Sequence, residues 1–173
     1  MIGNDTDVID TDVNNISTVT QRDMHKEDPE SKNFTAIGKS IYLGSFQPPF
    51  AQTSSFLELG IDVVINCASE IKYPPFKYPF IIESYPIQNN NSISMLEHMD
   101  KVIDRMHYFL CRKKKIYLHC INGISVSPAI LIYYLMMHKK MTYDRSHDLI
   151  KKLRPDIDVD SEFENQLRII EEN

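Results

Sequence analysis

The apolar positions of this chain follow two periods. Short runs dense in β-branched and aromatic residues occur at residues 41–45 (Ile41-Tyr42-Leu43-Gly44-Ser45), 61–68 and 80–87, and Ile116-Tyr117-Leu118 leads directly into His119-Cys120. Runs of this length between turn residues predict strands, and the nearly unbroken apolar stretch at 61–68 predicts a strand buried on both faces of a sheet. Helical spacing appears at Phe56, Leu57 and Leu59, closed by Gly60, and again over residues 95–110, where Met95, Met99, Val102, Ile103, Met106 and Phe109 share one side. The methionines there read as core filler. Residues 129–138 are apolar almost throughout, which predicts a helix enclosed on all sides. Thr142 reads as the N-cap of another helix that stops before Arg154-Pro155. Pro48-Pro49 predicts a loop, and so do the three prolines within residues 73–79.

The first 33 residues break this pattern. They are polar and acidic, with Asp5, Asp7, Asp10 and Asp12 ahead of Asn14-Asn15 and a Ser/Thr-rich stretch, and predict a flexible segment before a folded domain over 34–173. Such an arm is either a solvated tail or a partner-binding or dimer-forming element. The whole chain of 173 residues, 42% hydrophobic and 25% charged, has enough apolar material for one core.

A net charge of -5 argues against nucleic acid as the partner, and no apolar run is long enough for a membrane span. Three cysteines, Cys67, Cys111 and Cys120, make no paired framework, and no secretory signal stands at the start, so a reducing intracellular, cytoplasmic setting is expected. The histidines show no metal-like spacing, since His138 and His147 are nine positions apart; no metal and no cofactor are expected. Arg112-Lys113-Lys114-Lys115 reads as a solvated turn or as a basic patch for phosphorylated or acidic partners.

Chemistry concentrates between residues 117 and 129. A strand ends in His119-Cys120, Asn122-Gly123 makes a turn, and a helix opens near Ser127. Backbone N–H groups converge in such a loop and the helix dipole adds positive charge, so an anion is favoured there and a cysteine beside it tends toward thiolate. Cys120 is therefore read as a phosphate-facing nucleophile, against the alternative of a small buried hydrophobe.

His119-Cys120-Ile121-Asn122-Gly123-Ile124-Ser125-Val126-Ser127-Pro128 resembles the signature of the cysteine-dependent protein phosphatases, His-Cys, five residues, Arg. It is most similar to the dual-specificity branch, His-Cys-x-Ala-Gly-x-Ser-Arg-Ser-Pro. The resemblance runs over about residues 36 to 170. It takes in Ile41-Tyr42-Leu43-Gly44-Ser45, the strand at 61–68, and the closing Arg154-Pro155, Ile157, Phe163, Gln166 and Leu167, with Val159-Asp160 in place of Pro-Asn. Asp23-Met24-His25-Lys26 is similar to the N-terminal segment of poxvirus virion phosphatases of this family, which hints at a viral source.

The resemblance implies an α/β fold with a central, mostly parallel sheet flanked by helices. It implies that Cys120 is the nucleophile, that the backbone of Ile121, Asn122, Gly123, Ile124, Ser125 and Val126 binds phosphate, that His119 orders the loop from behind, and that Ser127 hydrogen-bonds the thiolate or serves as an N-cap. Two departures matter. Val126 stands where the family has the arginine that grips phosphate, and Asn89 stands where it has the aspartic acid that protonates the leaving group. A valine has neither donor nor charge, and an amide cannot surrender a proton.

The expectation is thus a pseudophosphatase that acts on phosphosignalling by binding a phosphorylated protein or a scaffold partner, with a homodimer open. The alternative is a weak or specialised phosphatase working through a Cys120 phosphocysteine, helped by an arginine from elsewhere such as Arg112 or a partner. Oxidation of Cys120 is a further reading.

Overall fold

The computed structural model describes residues 34–51, 53–75, 77–87 and 93–173. The segment 1–33, expected to be flexible, and Asn89 both lie outside the described residues. The strands are β1 (Phe34–Ala36), β2 (Ile41–Gly44), β3 (Val63–Ala68), β4 (Ile81–Ile87) and β5 (Ile116–His119), and they form one sheet in the order β1-β2-β5-β3-β4. β2, β5, β3 and β4 run parallel, and β1 adds an antiparallel edge to β2.

The period of two along each strand sorts side chains into two cores. Ile41, Leu43, Val63, Ile65, Ile116 and Leu118 enter the larger one, while Tyr42, Val64 and Tyr117 face the other side with Phe56 and Phe80. The larger core is covered by α3 (Ile93–Cys111), α4 (Val126–Lys139), α5 (Tyr143–Leu153) and α6 (Ser161–Glu172). The smaller face carries α2 (Thr53–Leu59), whose Phe56 ring lies 4.6 Å from that of Tyr117. Ser127 through Met136 of α4 are all buried, as the unbroken apolar run required, and Met95, Met99 and Met106 fill core positions on α3. No helix among the described residues is long and apolar enough to cross a membrane.

Three local details go beyond or against the pattern reading. The loop expected at Pro48-Pro49 is instead a short helix, α1 (Gln47–Ala51). Proline in a first helical turn gives up an N–H that has no partner there, so it starts a helix as readily as it breaks one. The segment after Pro155 forms α6, capped by Asp160, whose carboxylate accepts from the Glu162 amide at 2.9 Å. The basic run before β5 is tied into the fold: Asp62 accepts from Lys114 Nζ and from the Lys115 amide, each at 2.9 Å, and Lys115 Nζ donates to the Leu59 carbonyl at 2.7 Å.

Candidate functional site

A cavity of about 500 Å³ opens at the carboxyl ends of β3 and β5, where α4 begins. Parallel sheets present their ligand crevices at this end, because the loops that leave the strands there deliver helix N-termini to one place. Cys120, Ile121, Asn122, Ile124, Ser125 and Val126 form one wall, and the residues from Cys67 to Glu70 with Ile87 form the other.

Every carbonyl from Ile121 to Ser125 in the loop that follows β5 has a donor, the first four from other segments and the last from the first turn of α4. Ile121 O accepts from the Phe46 amide at 3.1 Å, Ile124 O from the Asp158 amide at 2.9 Å, and Ser125 O from the Ala129 amide at 2.9 Å. Arg154 serves the two between, with Nη2 donating to Asn122 O at 3.5 Å and Nε to Gly123 O at 3.0 Å. The described peptides are all trans, so the N–H that shares a plane with each carbonyl points the opposite way. The amides of residues 122 to 126 therefore face the inside of the loop. For Gly123 this is seen directly, since its N–H donates to Cys120 Sγ at 3.2 Å.

Close packing keeps the loop in this form. Gly123 has φ +68°, and a Cβ on it would stand 2.5 Å from the backbone carbon and oxygen of Gly44, so the loop rests on the end of β2 with no room for a side chain. Ser125 is the N-cap residue of α4, and its Oγ accepts from the Asp160 amide at 3.0 Å. Ser127 lies inside the helix rather than at its cap, and its Oγ donates to Cys120 Sγ at 3.2 Å. That is the contact the resemblance implied, while the N-cap alternative belongs to Ser125.

His119 works from behind. Its Nδ1 is 3.0 Å from the Cys120 carbonyl, which can only accept, so Nδ1 carries the proton and Nε2 accepts from the Tyr73 hydroxyl at 2.9 Å. Burial pushes the imidazole down to about 4 and pushes the Tyr73 phenol up, so the pair stays neutral.

The structure brings Cys120, the loop residues 121–126, His119 and Ser127 into one unit. Val126 is the first residue of α4; it lines the cavity and packs against the larger core. Among the described lining residues none is cationic, and Glu70 is anionic. Arg112 is not at the site: Nη1 donates to the Tyr108 carbonyl at 3.0 Å, and the guanidinium lies 3.6 Å from the centre of the Tyr108 ring, before the start of β5. The four residues of β5 separate it from the cavity by about 13 Å. The arginine that does touch the loop is Arg154, which in the sequence stands out only as a helix end and a family match. It is 5% exposed, and its Nη1 also donates to Thr35 Oγ1 at 3.2 Å.

Several known proteins are similar to this chain. Tyrosine-protein phosphatase vhp-1 of Caenorhabditis elegans is 32% identical over 144 residues, 80% of this chain and 21% of that protein. Dual specificity protein phosphatase 8 of Homo sapiens is 29% identical over 137 residues, 79% of this chain and 22% of that protein. Protein-tyrosine-phosphatase IBR5 of Arabidopsis thaliana is 29% identical over 136 residues, 76% and 48% respectively. The chain thus spans less than half the length of each of these relatives. Among solved structures, a mouse putative dual specificity phosphatase superposes with a TM-score of 0.74 at 21% identity, covering 86% of this chain and 92% of that one. The human tyrosine phosphatase-like serine/threonine/tyrosine-interacting protein superposes at 0.72 with 20% identity, covering 82% and 97%. A family model described as dual specificity phosphatase, catalytic domain, matches residues 41–173, and with the sheet, the cysteine and the loop in place the chain belongs to the dual-specificity phosphatase family.

Proposed function

We propose that this member of the family is a pseudophosphatase, which keeps the nucleophile position and the ring of inward amides but regulates phosphosignalling by binding. The observation that carries the reading is Val126, an apolar residue on the cavity wall where the family has its phosphate-gripping arginine. An arginine acting on a transferring phosphoryl group is worth about 10³ to 10⁵ in rate. Asn89 at the acid position removes a further contribution, typically about 10² to 10⁴. The two factors need not multiply, since such residues act as a unit, yet either alone brings turnover close to background. The ligand on this reading is a phosphorylated protein segment held through the loop amides and the dipole of α4, at low affinity for want of a cation.

The test is hydrolysis of a small aryl phosphate by the natural protein, Val126→Arg, Val126→Arg with Asn89→Asp, and Cys120→Ser. A silent natural form whose double reversion gains Cys120-dependent turnover supports the proposal. A natural form that turns over substrate, and loses it on Cys120→Ser, overturns it.

A second reading, a weak or specialised phosphatase, is favoured by one observation. Cys120 Sγ still receives two donors, from the Gly123 amide and Ser127 Oγ, each at 3.2 Å. The same experiment separates the two, because this reading requires turnover in the natural form.

A further inference from the structure

The net charge of -5 belongs entirely to the first 33 residues. They hold eight of the chain's 24 acidic side chains and three of its 19 basic ones, so residues 34–173 sum to zero. That folded part is nevertheless polarised. Asp156, Asp158, Asp160, Glu162 and Glu164 stand beside the loop at the cavity, to which the Asp158 and Asp160 amides bond. Cations gather at the other end. The helices α3 and α4 run side by side in the same direction, since Tyr133 donates to Asp100 at 2.6 Å and, further along both, the rings of His138 and His107 stack at 4.2 Å. Both therefore finish together, about 20 Å from the cavity given the 14 residues of α4. There Arg112 and Lys113 follow α3 and Lys140 caps α4, all three exposed. The charges of Lys139 and Lys140 act on His138 together with that of Asp104, so cations outnumber the carboxylate on this surface. Tyr108 and Met137, each next in sequence to one of the stacked histidines, are exposed.

We propose that residues 5–12 of this chain dock, within the same molecule, on the basic surface at the joined ends of α3 and α4. Asp5, Asp7, Asp10 and Asp12 pair with Arg112, Lys113 and Lys140, while Val8 and Ile9 between them meet the apolar area of Tyr108 and Met137. The acidic rim of the cavity repels the same segment, which favours the far end. Phe34 pairs with Gly44 at the cavity end of β2, so the segment has to run the length of the domain. The 22 residues from Asp12 to Phe34 extend to about 70 Å, whereas a domain of 140 residues has a radius of gyration of about 14 Å. Exposed ion pairs are individually weak, but the covalent link gives the segment an effective concentration on the order of 1 mM. It therefore acts as a built-in competitor, which an acidic segment of another protein has to displace. This holds whatever the cavity binds.

The experiment is carbodiimide cross-linking of the full chain, which joins a carboxylate to a lysine amine in contact with it as an amide, with loss of water, followed by peptide mapping. Mixing light chain with heavy-isotope chain separates links within one molecule from links between two. The expected result is a link from the peptide carrying residues 5–12 to Lys113 or Lys140 within single chains, lost at about 1 M salt, where the screening length falls to about 3 Å. Arg112→Glu should lower the yield about fivefold. Arg145→Glu, the same change of charge on an exposed residue early in α5, should leave it as it was. The proposal fails if residues 5–12 link to other lysines, if the links run only between light and heavy chains, or if none form. It fails equally if the two arginine variants behave alike. Mapping of the natural protein decides the matter by itself, even if Arg112→Glu does not fold.

Discussion

Arg154 Nε donates to the carbonyl of Gly123 at 3.0 Å, from the side of the loop that faces away from the amides aimed at Cys120. The guanidinium therefore braces the loop from behind and does not line the cavity. Arg154→Met leaves the Asn122 and Gly123 carbonyls without donors and should cost about 2 to 3 kcal/mol, measured by urea unfolding. Arg154→Lys should recover only part of this, because one ammonium cannot span both carbonyls and Thr35. If Arg154→Met matches the natural protein in both stability and tungstate affinity, the bracing role is wrong.

Gly123 and Gly60 both have positive φ, at +68° and +71°, but their surroundings differ. A Cβ at Gly60 meets nothing nearer than Lys115 Nζ at 3.7 Å, so Gly60→Ala should lose only the backbone preference, about 1 kcal/mol. Gly123→Ala must also push the loop off Gly44. It should lose at least about 2 kcal/mol and most of its oxyanion binding, a contrast that parallel thermal melts and tungstate titrations would reveal. Equal effects at the two positions would mean that the loop can move away from β2 freely.

His119 predicts a pH dependence. Its pKa falls from an ordinary 6.5 to about 4 in the folded protein, so between these values the unfolded chain binds more protons. Stability from this group is complete above pH 6.5, declines as pH falls from 6.5 to 4, and has no further to fall below 4. The full loss is about 3 kcal/mol. Other carboxylates also titrate in acid, so the informative quantity is the difference between the natural protein and His119→Gln. The variant should show a shallower slope across that window, and parallel slopes would contradict the buried neutral imidazole.

Val126→Arg should strengthen anion binding independently of turnover. A charge-assisted hydrogen bond contributes about 1.5 to 3 kcal/mol, which predicts tungstate or orthophosphate affinity raised roughly tenfold to a hundredfold. Calorimetric titration measures it directly. An unchanged affinity would show that the new side chain turns out to solvent and that the wall is not shaped for a fork.

The strands, the long helices and the loop between β5 and α4 were legible because each carries its own local signal. Residues 61–68 could be read as a doubly buried strand from their composition alone, and β3 is buried along its whole length. Residues 129–138 likewise announced a buried helix, and α4 is buried as far as Met136, while Met137 near its end is exposed. Pro48-Pro49 misled because proline either starts or breaks a helix according to whether it falls in the first turn or later, and only the residues after it decide which. α6 has its own local signals, with Asp160 ahead of Glu162, and Phe163 and Leu167 four apart on one face. The role of Arg154 had no local signal, since its partners Thr35, Asn122 and Gly123 are 119, 32 and 31 positions away.

The braces on the loop come from both sides of it in the chain. Phe46 and Gly44 precede it, while Arg154, Asp158 and Asp160 lie beyond it, and the sheet itself is complete at His119. During synthesis a chain released only as far as α4 would have its strands and its cysteine but no donors on the carbonyls of Asn122, Gly123 and Ile124. Those peptides would be free to turn over and present oxygen, not hydrogen, to an anion. The shape of this loop is therefore late to mature: a nascent or clipped form lacking residues 154–160 would carry the cysteine without the braces that turn the loop amides toward it.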